Sequence, residues 1–295
     1  MSMTVHIAFV GLGNMGGVIL QRLALQRDLD LRCQDARPGL ARSFEGAGVT
    51  AAETLAAAAS GADIIFTCLP KPSVIDAVYL GTGGLAEIVQ PGAVCVDLST
   101  NHPHLAKRIG AELAGRGISF VDAPVAGGVE RAKEGRLTVM AGGAESNVDR
   151  VEPLLARFAA RVFRTGPNGT GCLAKVINNQ VALCNMLNMT EALTLAAASG
   201  IKPAFMDQII ASASGQSTAQ VHLASKLAAR DWSPSFSLDL ALKDIRIALD
   251  VAKSHDVRLK MAEVLEERYA ECVERGWGSL DMAAMAKLDE ELLFK

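Results

Sequence analysis

The stretch between Gly169 and Gly200 constrains the fold more than any other part of this 295-residue chain. It has no proline and is rich in alanine, leucine and methionine, so it predicts one long helix over about 169–199. At 1.5 Å per residue such a helix would span roughly 43 Å, longer than most helices inside one domain. Polar side chains interrupt it too often for a membrane span, so it must be covered by protein. Lys175, near its start, is where we expect the chemistry.

Composition limits the partners and the compartment. The net charge is −3 with no basic stripe, so we expect no nucleic acid and no membrane among the partners. The six cysteines lack metal-binding spacing and the five histidines do not cluster with cysteine or carboxylate, which predicts reduced cysteines and no metal site. The first strand begins by Val5, which leaves no room for a signal or transit peptide, and the prediction is a cytoplasmic protein.

Two kinds of segment divide the chain. Up to residue 166, short and almost continuously apolar runs alternate with amphipathic helices. This alternation is typical of a mostly parallel sheet covered on both faces. We therefore predict an α/β, doubly wound domain over residues 1–166. Beyond it the strand patterns stop and helical periods follow, which predicts an all-helical domain over residues 167–295. No flexible linker intervenes, so the long helix itself joins the two.

A glycine-rich turn directly follows the first predicted strand and opens a helix. It fits G-x-G-x-x-G, in which the first glycine permits a tight turn and the second lets a pyrophosphate approach the backbone. The third glycine lets helix and strand pack closely, while the helix N-terminus faces the phosphates. The pattern predicts a Rossmann domain whose cofactor-binding residues are Gly11, Leu12, Gly13, Asn14, Met15 and Gly16.

An acidic residue that ends the second strand should bind the adenosine ribose hydroxyls of a dinucleotide, and Asp35 fits this position. Its carboxylate would repel a 2′-phosphate, so the sequence favours NAD over NADP. Arg37 lies nearby, and it either partly offsets that repulsion or is a solvated charge.

Five ordered motifs resemble the β-hydroxyacid dehydrogenase family, which includes 3-hydroxyisobutyrate dehydrogenases and tartronate semialdehyde reductases. FVGLGNMG resembles its cofactor loop, DLST followed by Pro103 its second motif, and FVDAPVAGGVERAKEGRLTVMAGG its substrate loop. GTGCLAKVINN resembles the catalytic motif and FSLDLALKDIRIAL the Lys-Asp segment. The resemblance implies a Rossmann domain joined by a long helix to an all-helical domain, in a homodimer or homotetramer. It also implies an NAD(P)-dependent enzyme that interconverts a small 3-hydroxy acid and its semialdehyde or keto form.

The resemblance gives Lys175 the role of general acid/base, because removing hydride from an alcohol carbon requires the hydroxyl proton to leave too. Lysine titrates near pH ~10.4 in water, so this role requires a lowered pKa, which burial in an apolar helix would supply. Asn179, one turn further on, matches the asparagine that holds substrate and lysine in register. Asn178 either shares in substrate binding or makes only a helix–helix contact.

Further site residues are implied at strand ends. Ser99 would bind substrate and Thr100 the nicotinamide side, unless one of them only caps the following helix. Leu69 and Pro70, which end another strand, match a cofactor contact made mainly through backbone and packing.

In the helical domain the resemblance places Lys243 at the nicotinamide end of the cofactor and Asp244 beside it, in the substrate site. Taken alone, a Lys-Asp pair on an amphipathic helix is usually a solvated face.

The substrate loop departs from the family pattern at Ala126, where the family commonly has serine. Ala126 therefore lacks the hydroxyl that would help to hold a substrate carboxylate, while the amides of Gly127 and Gly128 can still form a concavity for a small carboxylate-bearing substrate. Two other functions stay open: an imine-reductase-like enzyme on the same scaffold, and a non-catalytic nucleotide-binding scaffold protein. Lys175 counts against both, because relatives with those functions replace it.

Overall fold

The computed structural model describes residues 5–26, 28–46 and 48–294. Its strands are β1 (Val5–Val10), β2 (Leu29–Gln34), β3 (Val49–Ala51), β4 (Ile64–Thr67), β5 (Val94–Asp97), β6 (Ser119–Asp122), β7 (Val125–Ala126), β8 (Leu137–Gly142) and β9 (Ala159–Gly166). Its first seven helices are α1 (Asn14–Ala24), α2 (Leu55–Ala59), α3 (Pro72–Leu80), α4 (Leu85–Ile88), α5 (Pro103–Ala114), α6 (Gly128–Lys133) and α7 (Glu145–Leu155). The remaining helices are α8 (Thr170–Ala198), α9 (Pro203–Ala211), α10 (Thr218–Ala229), α11 (Leu238–Ser254), α12 (Lys260–Glu274) and α13 (Glu290–Leu293), with 3-10 turns at Ala41–Phe44 and Met282–Asp289.

The strands form one mostly parallel sheet in the order β3-β2-β1-β4-β5-β6-β8-β7, with β9 on β8. The first six strands in this order are parallel, and β8 runs antiparallel to β6 and β7. The order reverses between β1 and β4, which is the switch point beside which a doubly wound sheet binds its ligand. The predicted fold class is confirmed.

Alternate residues of each central strand enter cores on opposite faces of the sheet. Ile7 and Phe9 of β1 belong to one apolar cluster, whereas Ala8 and Val10 belong to the other. On the first face, Phe66 joins Phe9 with ring centroids 6.0 Å apart. Because helices cover both faces, the central strands are almost continuously apolar, as the sequence pattern predicts.

The chain divides into two compact units, Met1–Lys175 and Val176–Lys295. This division falls inside α8, whereas the change in composition places the boundary between residues 166 and 167, where β9 ends. The second unit is helical, and its core contains side chains from α8 to α12 together with the C-terminal 3-10 turn. Tyr269 of α12 is among its largest fully buried side chains.

Helix α8 is long and apolar enough, by length and composition, to cross a membrane; its most apolar stretch has a mean hydropathy of 1.3. Inside the protein, 44% of that stretch is buried. A core helix of a soluble protein passes the same test, and polar residues such as Lys175 and Asn179 lie on its buried side.

Candidate active site

The loop after β1 is built from three glycines with different surroundings. Gly11 has a φ of +94°, and a Cβ there would lie 2.4 Å from the Cys68 carbonyl oxygen. A Cβ at Gly16 would lie 2.1 Å from the Gly11 carbonyl oxygen, so these two positions require glycine for packing. A Cβ at Gly13 would meet no atom of the described residues within 4 Å. The loop is therefore closed against the sheet at both ends and open at Gly13, as a bound pyrophosphate requires.

The other predicted loop residues contribute in different ways. Leu12 is buried with its side chain in the core, and its N–H donates to Asp35 Oδ2 at 2.7 Å. Asn14 is exposed and Met15 half-buried in the first turn of α1. Among the residues that the structure describes, no side chain caps this helix, so its N-terminus remains available to phosphate oxygens.

Asp35, directly after β2, is held by its neighbours. Its two oxygens accept the Arg37 guanidinium at 2.9 and 3.1 Å, and Oδ1 also accepts the Arg37 N–H at 2.9 Å. Burial opposes ionisation of Asp35, but these bonds outweigh it and hold the pKa of the carboxyl below its ordinary value. Arg37 remains 62% exposed along its side chain.

A cavity of about 770 Å³ opens beside this ion pair. Its charged lining residues are Asp35, Arg37, Arg42, Glu45 and Glu53. Three carboxylates face two guanidinium groups, so the cavity carries an excess of negative charge. It lies at the carboxyl end of β2, where the ribose of a bound dinucleotide is expected.

At the ends of β4 and β5, polar side chains form a buried cluster. Ser99 Oγ accepts the Leu69 N–H at 2.8 Å, which ties the loop after β4 to the loop after β5. Asp97 Oδ1 accepts the Ser99 N–H at 3.1 Å and the Thr67 hydroxyl at 2.9 Å. Burial raises the pKa of Asp97 to about 6, although the bonds from Ser99 and Thr67 oppose the shift.

Ser99 and Thr100 do not cap the helix that follows them. The cap of α5 is His102, whose Nδ1 accepts the His104 N–H at 3.2 Å. Ser99 is buried, whereas Thr100 is half-buried. Of the predicted pair after β4, Leu69 is half-buried and the neighbouring proline, Pro70, is exposed.

The predicted substrate loop turns through two glycines. Gly127 has a φ of +133° and Gly128 a φ of +76°, and both are exposed. Residues with a Cβ rarely adopt these angles, so glycine is required at both positions. Ala126, half-buried at the end of β7, precedes them and pairs with Thr138 of β8.

Lys175 and Asn179 are both buried on one face of α8, with 9% and 8% of their surface exposed. They are one helical turn apart and therefore neighbours on that face. Asn178 is exposed, and its Nδ2 donates to Asn179 Oδ1 at 3.3 Å. The structure thus buries Asn179, to which the resemblance gives the larger role, and leaves Asn178 exposed.

Within the helical unit, Asp244 connects two other predicted residues. Its Oδ2 accepts the Asn179 amide at 2.6 Å, and Lys243 Nζ lies 2.9 Å from its Oδ1. Asp244 is 1% exposed, so this Lys-Asp pair is not a solvated face. Because a carboxylate only accepts hydrogen bonds, the nitrogen of the Asn179 amide must face Asp244.

Two family models match consecutive parts of the chain. The family model described as the NAD binding domain of 6-phosphogluconate dehydrogenase matches residues 6–166. The model described as NAD-binding of NADP-dependent 3-hydroxyisobutyrate dehydrogenase matches residues 169–288. The chain is also 32% identical over 293 residues to 2-(hydroxymethyl)glutarate dehydrogenase from Eubacterium barkeri, covering 99% of this chain and 97% of that protein. The chain belongs to the β-hydroxyacid dehydrogenase family.

Solved structures place this β-hydroxyacid dehydrogenase among its relatives. A 3-hydroxyisobutyrate dehydrogenase from Salmonella typhimurium has a TM-score of 0.88 at 28% identity, covering 96% of this chain and 99% of that one. An imine reductase from Pseudomonas sp. has a TM-score of 0.62 at 19% identity, covering 96% of this chain and 99% of that one, and shares the fold alone. The predicted family is confirmed, and with it an NAD(P)-dependent oxidoreductase acting on CH–OH groups.

Sequence reasoning missed two buried carboxylates of this site region, Asp97 and Asp122. Both end apolar strands and are paired in register on β5 and β6. Burial raises the pKa of Asp122, although the N–H groups of Gly169 and Cys172 oppose the shift. The signal that was present is an acidic residue as the last residue of an apolar strand, in CVD and FVD, at the edge where parallel sheets bind ligands.

Proposed function

We propose that this dehydrogenase interconverts a small 3-hydroxy acid and its semialdehyde or keto form, with Lys175 as the general acid/base. The observation that carries the proposal is the buried pair of Lys175 and Asn179 on one face of α8. A lysine is buried at a cost, because its charged form loses hydration, and such groups are concentrated at functional sites. The pair therefore supports a chemical role better than a structural one.

The proposed chemistry needs a proton acceptor beside the reacting carbon. When bound, the nicotinamide ring accepts or supplies the hydride. Lys175 Nζ would take the hydroxyl proton in oxidation and return it in reduction. Asn179 would hold the substrate oxygen with the amide hydrogen that Asp244 leaves free, because each amide nitrogen carries two hydrogens. Asp244 and Lys243 would keep that amide in one orientation.

For the cofactor, we propose that NAD is preferred over NADP. Gly13 leaves room for the pyrophosphate, and the loop from Gly11 to Gly16 supplies the backbone that would hold it. Asp35 and the surplus of carboxylates in the neighbouring cavity support NAD, because a 2′-phosphate would add negative charge there. A kcat/KM for NADPH well above that for NADH would overturn the preference.

For the substrate, we propose a small carboxylate-bearing molecule. The turn through Gly127 and Gly128 presents backbone amides without side chains, and Ser99 stands at the end of β5. Ala126 supplies no hydroxyl to this loop. Ala126→Ser should change the substrate KM more than the cofactor KM, and the reverse result would argue against contact between this loop and substrate.

For assembly, we propose at least a homodimer formed through the helical unit. Large apolar side chains are exposed along α8, α9 and α10 and in the adjoining loop, namely Ile177, Val181, Leu195, Ile201, Phe205, Ile209 and Val221. Leu195 and Phe205 are 68% and 59% exposed, which is costly in a monomer. A second copy would cover this face by an isologous contact, giving a homodimer or, with a further contact, a homotetramer.

Light scattering tests the assembly. The double variant Leu195→Glu/Phe205→Glu should be monomeric, whereas Leu25→Glu, which changes a similarly exposed leucine of the other unit, should retain the native mass. An unchanged mass for the double variant would contradict the proposal.

We also propose a cytoplasmic location without membrane or nucleic-acid partners. Recovery of the full-length protein with sedimented membranes would overturn that part.

The central experiment pairs a substrate panel with Lys175→Ala. The panel contains 3-hydroxy acids and short semialdehydes, followed by NADH and NADPH absorbance. We expect turnover by the wild type and less than about a tenth of it in Lys175→Ala, since a general acid/base contributes ~100-fold or more. Lys253→Ala removes an exposed lysine of α11 and should keep full activity. No wild-type turnover with any member would favour a nucleotide-binding scaffold.

A further inference from the structure

Asp122, at the end of β6, caps the first turn of α8. Its Oδ1 accepts the Gly169 N–H at 2.7 Å, and its Oδ2 accepts the Cys172 N–H at 2.8 Å. The first N–H groups of a helix have no partner within the helix, and a negative charge at this end is stabilised by the helix dipole. A fully buried carboxylate that takes two of these groups therefore fixes where the helix begins.

The same turn packs directly on the sheet. A Cβ at Gly171 would lie 2.3 Å from the Met140 carbonyl oxygen and 2.4 Å from that of Asp122, so only glycine allows this approach. Asn168, just before the helix, donates to the Phe120 carbonyl oxygen at 2.9 Å. The start of α8 is thus fixed to β6 and β8 by several independent contacts.

Lys175 lies one turn beyond the capped Cys172 N–H. In an α-helix the Cα–Cβ bonds tilt toward the N-terminus, so the side chain of Lys175 covers the turn that Asp122 caps. Any rotation or shift of this turn would therefore move the Lys175 ammonium group.

We propose that Asp122 is a positioning residue, which sets the place of Lys175 Nζ by capping the turn beneath it. The inference rests on the proposed role of Lys175 as general acid/base. A displacement of ~1 Å at a reacting group can lower a rate about 100-fold. The glycine loop after β1 makes none of the contacts described for this cap. Loss of the cap should therefore lower kcat and leave the dinucleotide KM unchanged.

Two variants test the positioning role. Asp122→Asn keeps the shape and one acceptor oxygen but presents an N–H to the second helix N–H, whereas Asp122→Ala removes both acceptors. We expect kcat to fall about 10-fold in the first and about 100-fold in the second, with the dinucleotide KM within about twofold of wild type. The asparagine variant should thus recover part of what alanine loses.

Thr54→Ala is the matched control, because Thr54 Oγ1 accepts the Ala57 N–H at 3.0 Å and caps α2 in the same unit. It should lower Tm while keeping kcat. All variants are assayed well below their own Tm.

Lys175→Ala, measured in parallel, separates the two proposals. If it retains turnover, the proposed function fails. If Lys175→Ala is inactive, the Asp122 variants decide the positioning role. That role is wrong if they keep the wild-type kcat, with or without a loss of thermal stability. It is also wrong if they lose kcat and dinucleotide binding together. Failure of both Asp122 variants to fold would also contradict it, because the carboxylate would then serve the fold alone.

Discussion

The two units bring their candidate functional residues together in different ways. In the first unit the groups come from neighbouring strand ends, where Asp97 and Asp122 are register partners on β5 and β6. In the second, Asn179 and Asp244 lie on different helices, 65 residues apart, and meet through one hydrogen bond of 2.6 Å. A parallel sheet brings its strand ends together once the strand order forms, whereas two helix side chains meet only if both helices pack correctly. The first arrangement follows from topology and the second from core packing.

The largest effect is expected from a substitution in the glycine loop, which would disrupt the packing of α1 on the sheet of the first unit. Gly16→Ala would place a Cβ 2.1 Å from the Gly11 carbonyl oxygen, so β1 and α1 would have to separate. We expect a loss of more than about 4 kcal/mol in the free energy of unfolding, measured by chemical denaturation.

Gly13→Ala is the matched variant, because in the part of the chain that the structure describes no atom lies within 4 Å of a Cβ placed there. It should keep its Tm and weaken dinucleotide binding at least about tenfold by fluorescence titration, since the methyl group lies where the pyrophosphate approaches. Equal effects on Tm in the two variants would contradict this division of roles.

The next largest effect is expected from a substitution that removes the contact between α8 and α11 in the helical unit. Asp244→Ala leaves the Asn179 amide and Lys243 without the buried carboxylate between them. We expect the free energy of unfolding to fall by about 3 kcal/mol, because the buried Asn179 amide loses the charged group that accepts its hydrogen bond, and a buried donor without an acceptor is costly. Turnover should fall as well, since Asn179 loses its fixed orientation. Wild-type kcat in this variant would show that the hydrogen bond between the two helices does not build the site.

A third prediction concerns the pH dependence of the first unit. The pKa of Asp97 is raised to about 6 in the folded protein, so the folded state holds a proton that the unfolded chain releases. The stabilisation is complete below the unfolded pKa and is lost as pH rises through the folded one. Between pH ~4 and ~7 this amounts to on the order of 2–3 kcal/mol.

Asp97→Asn tests this sign directly. The free energy of unfolding of the variant minus that of wild type should increase by that amount as pH rises across the window, because only wild type loses this stabilisation. Groups that titrate in both proteins largely cancel in this difference. A difference that does not change with pH would show that the Asp97 carboxyl is already ionised at low pH.

The contrast between the units also explains what could be predicted. The glycine loop and α8 were predictable because their patterns are local: the sequence indicates a helix over about 169–199, and α8 spans Thr170–Ala198. The sheet class follows from apolar strands that alternate with amphipathic helices. The division of the chain inside α8 was not predictable, because composition marks where strands stop and not where contacts between residues divide.

The contacts within the site depended on tertiary structure. Asp122 ends an apolar strand, and nothing local shows that it accepts an N–H from Cys172, 50 residues away. Asn178 and Asn179 are the same type of residue. Adjacent helix residues point about 100° apart, so only one of the two side chains faces Asp244. Which one does so depends on how α8 packs against α11.

The smallest expected effect concerns the ion pair between Arg37 and Asp35, in which only the arginine side chain is exposed. Arg37→Ala should change the free energy of unfolding by less than about 1 kcal/mol, because its side chain is 62% exposed and solvent screens the pair. It should raise the NADPH KM more than the NADH KM, since the lost guanidinium leaves Asp35 uncompensated toward a 2′-phosphate. We expect the kcat/KM ratio of NADH to NADPH to rise several-fold. Arg136→Ala, which removes another exposed arginine, should leave that ratio unchanged. If Arg37→Ala leaves it unchanged too, Arg37 is a solvated charge, and discrimination at this edge of the sheet belongs to the backbone and Asp35.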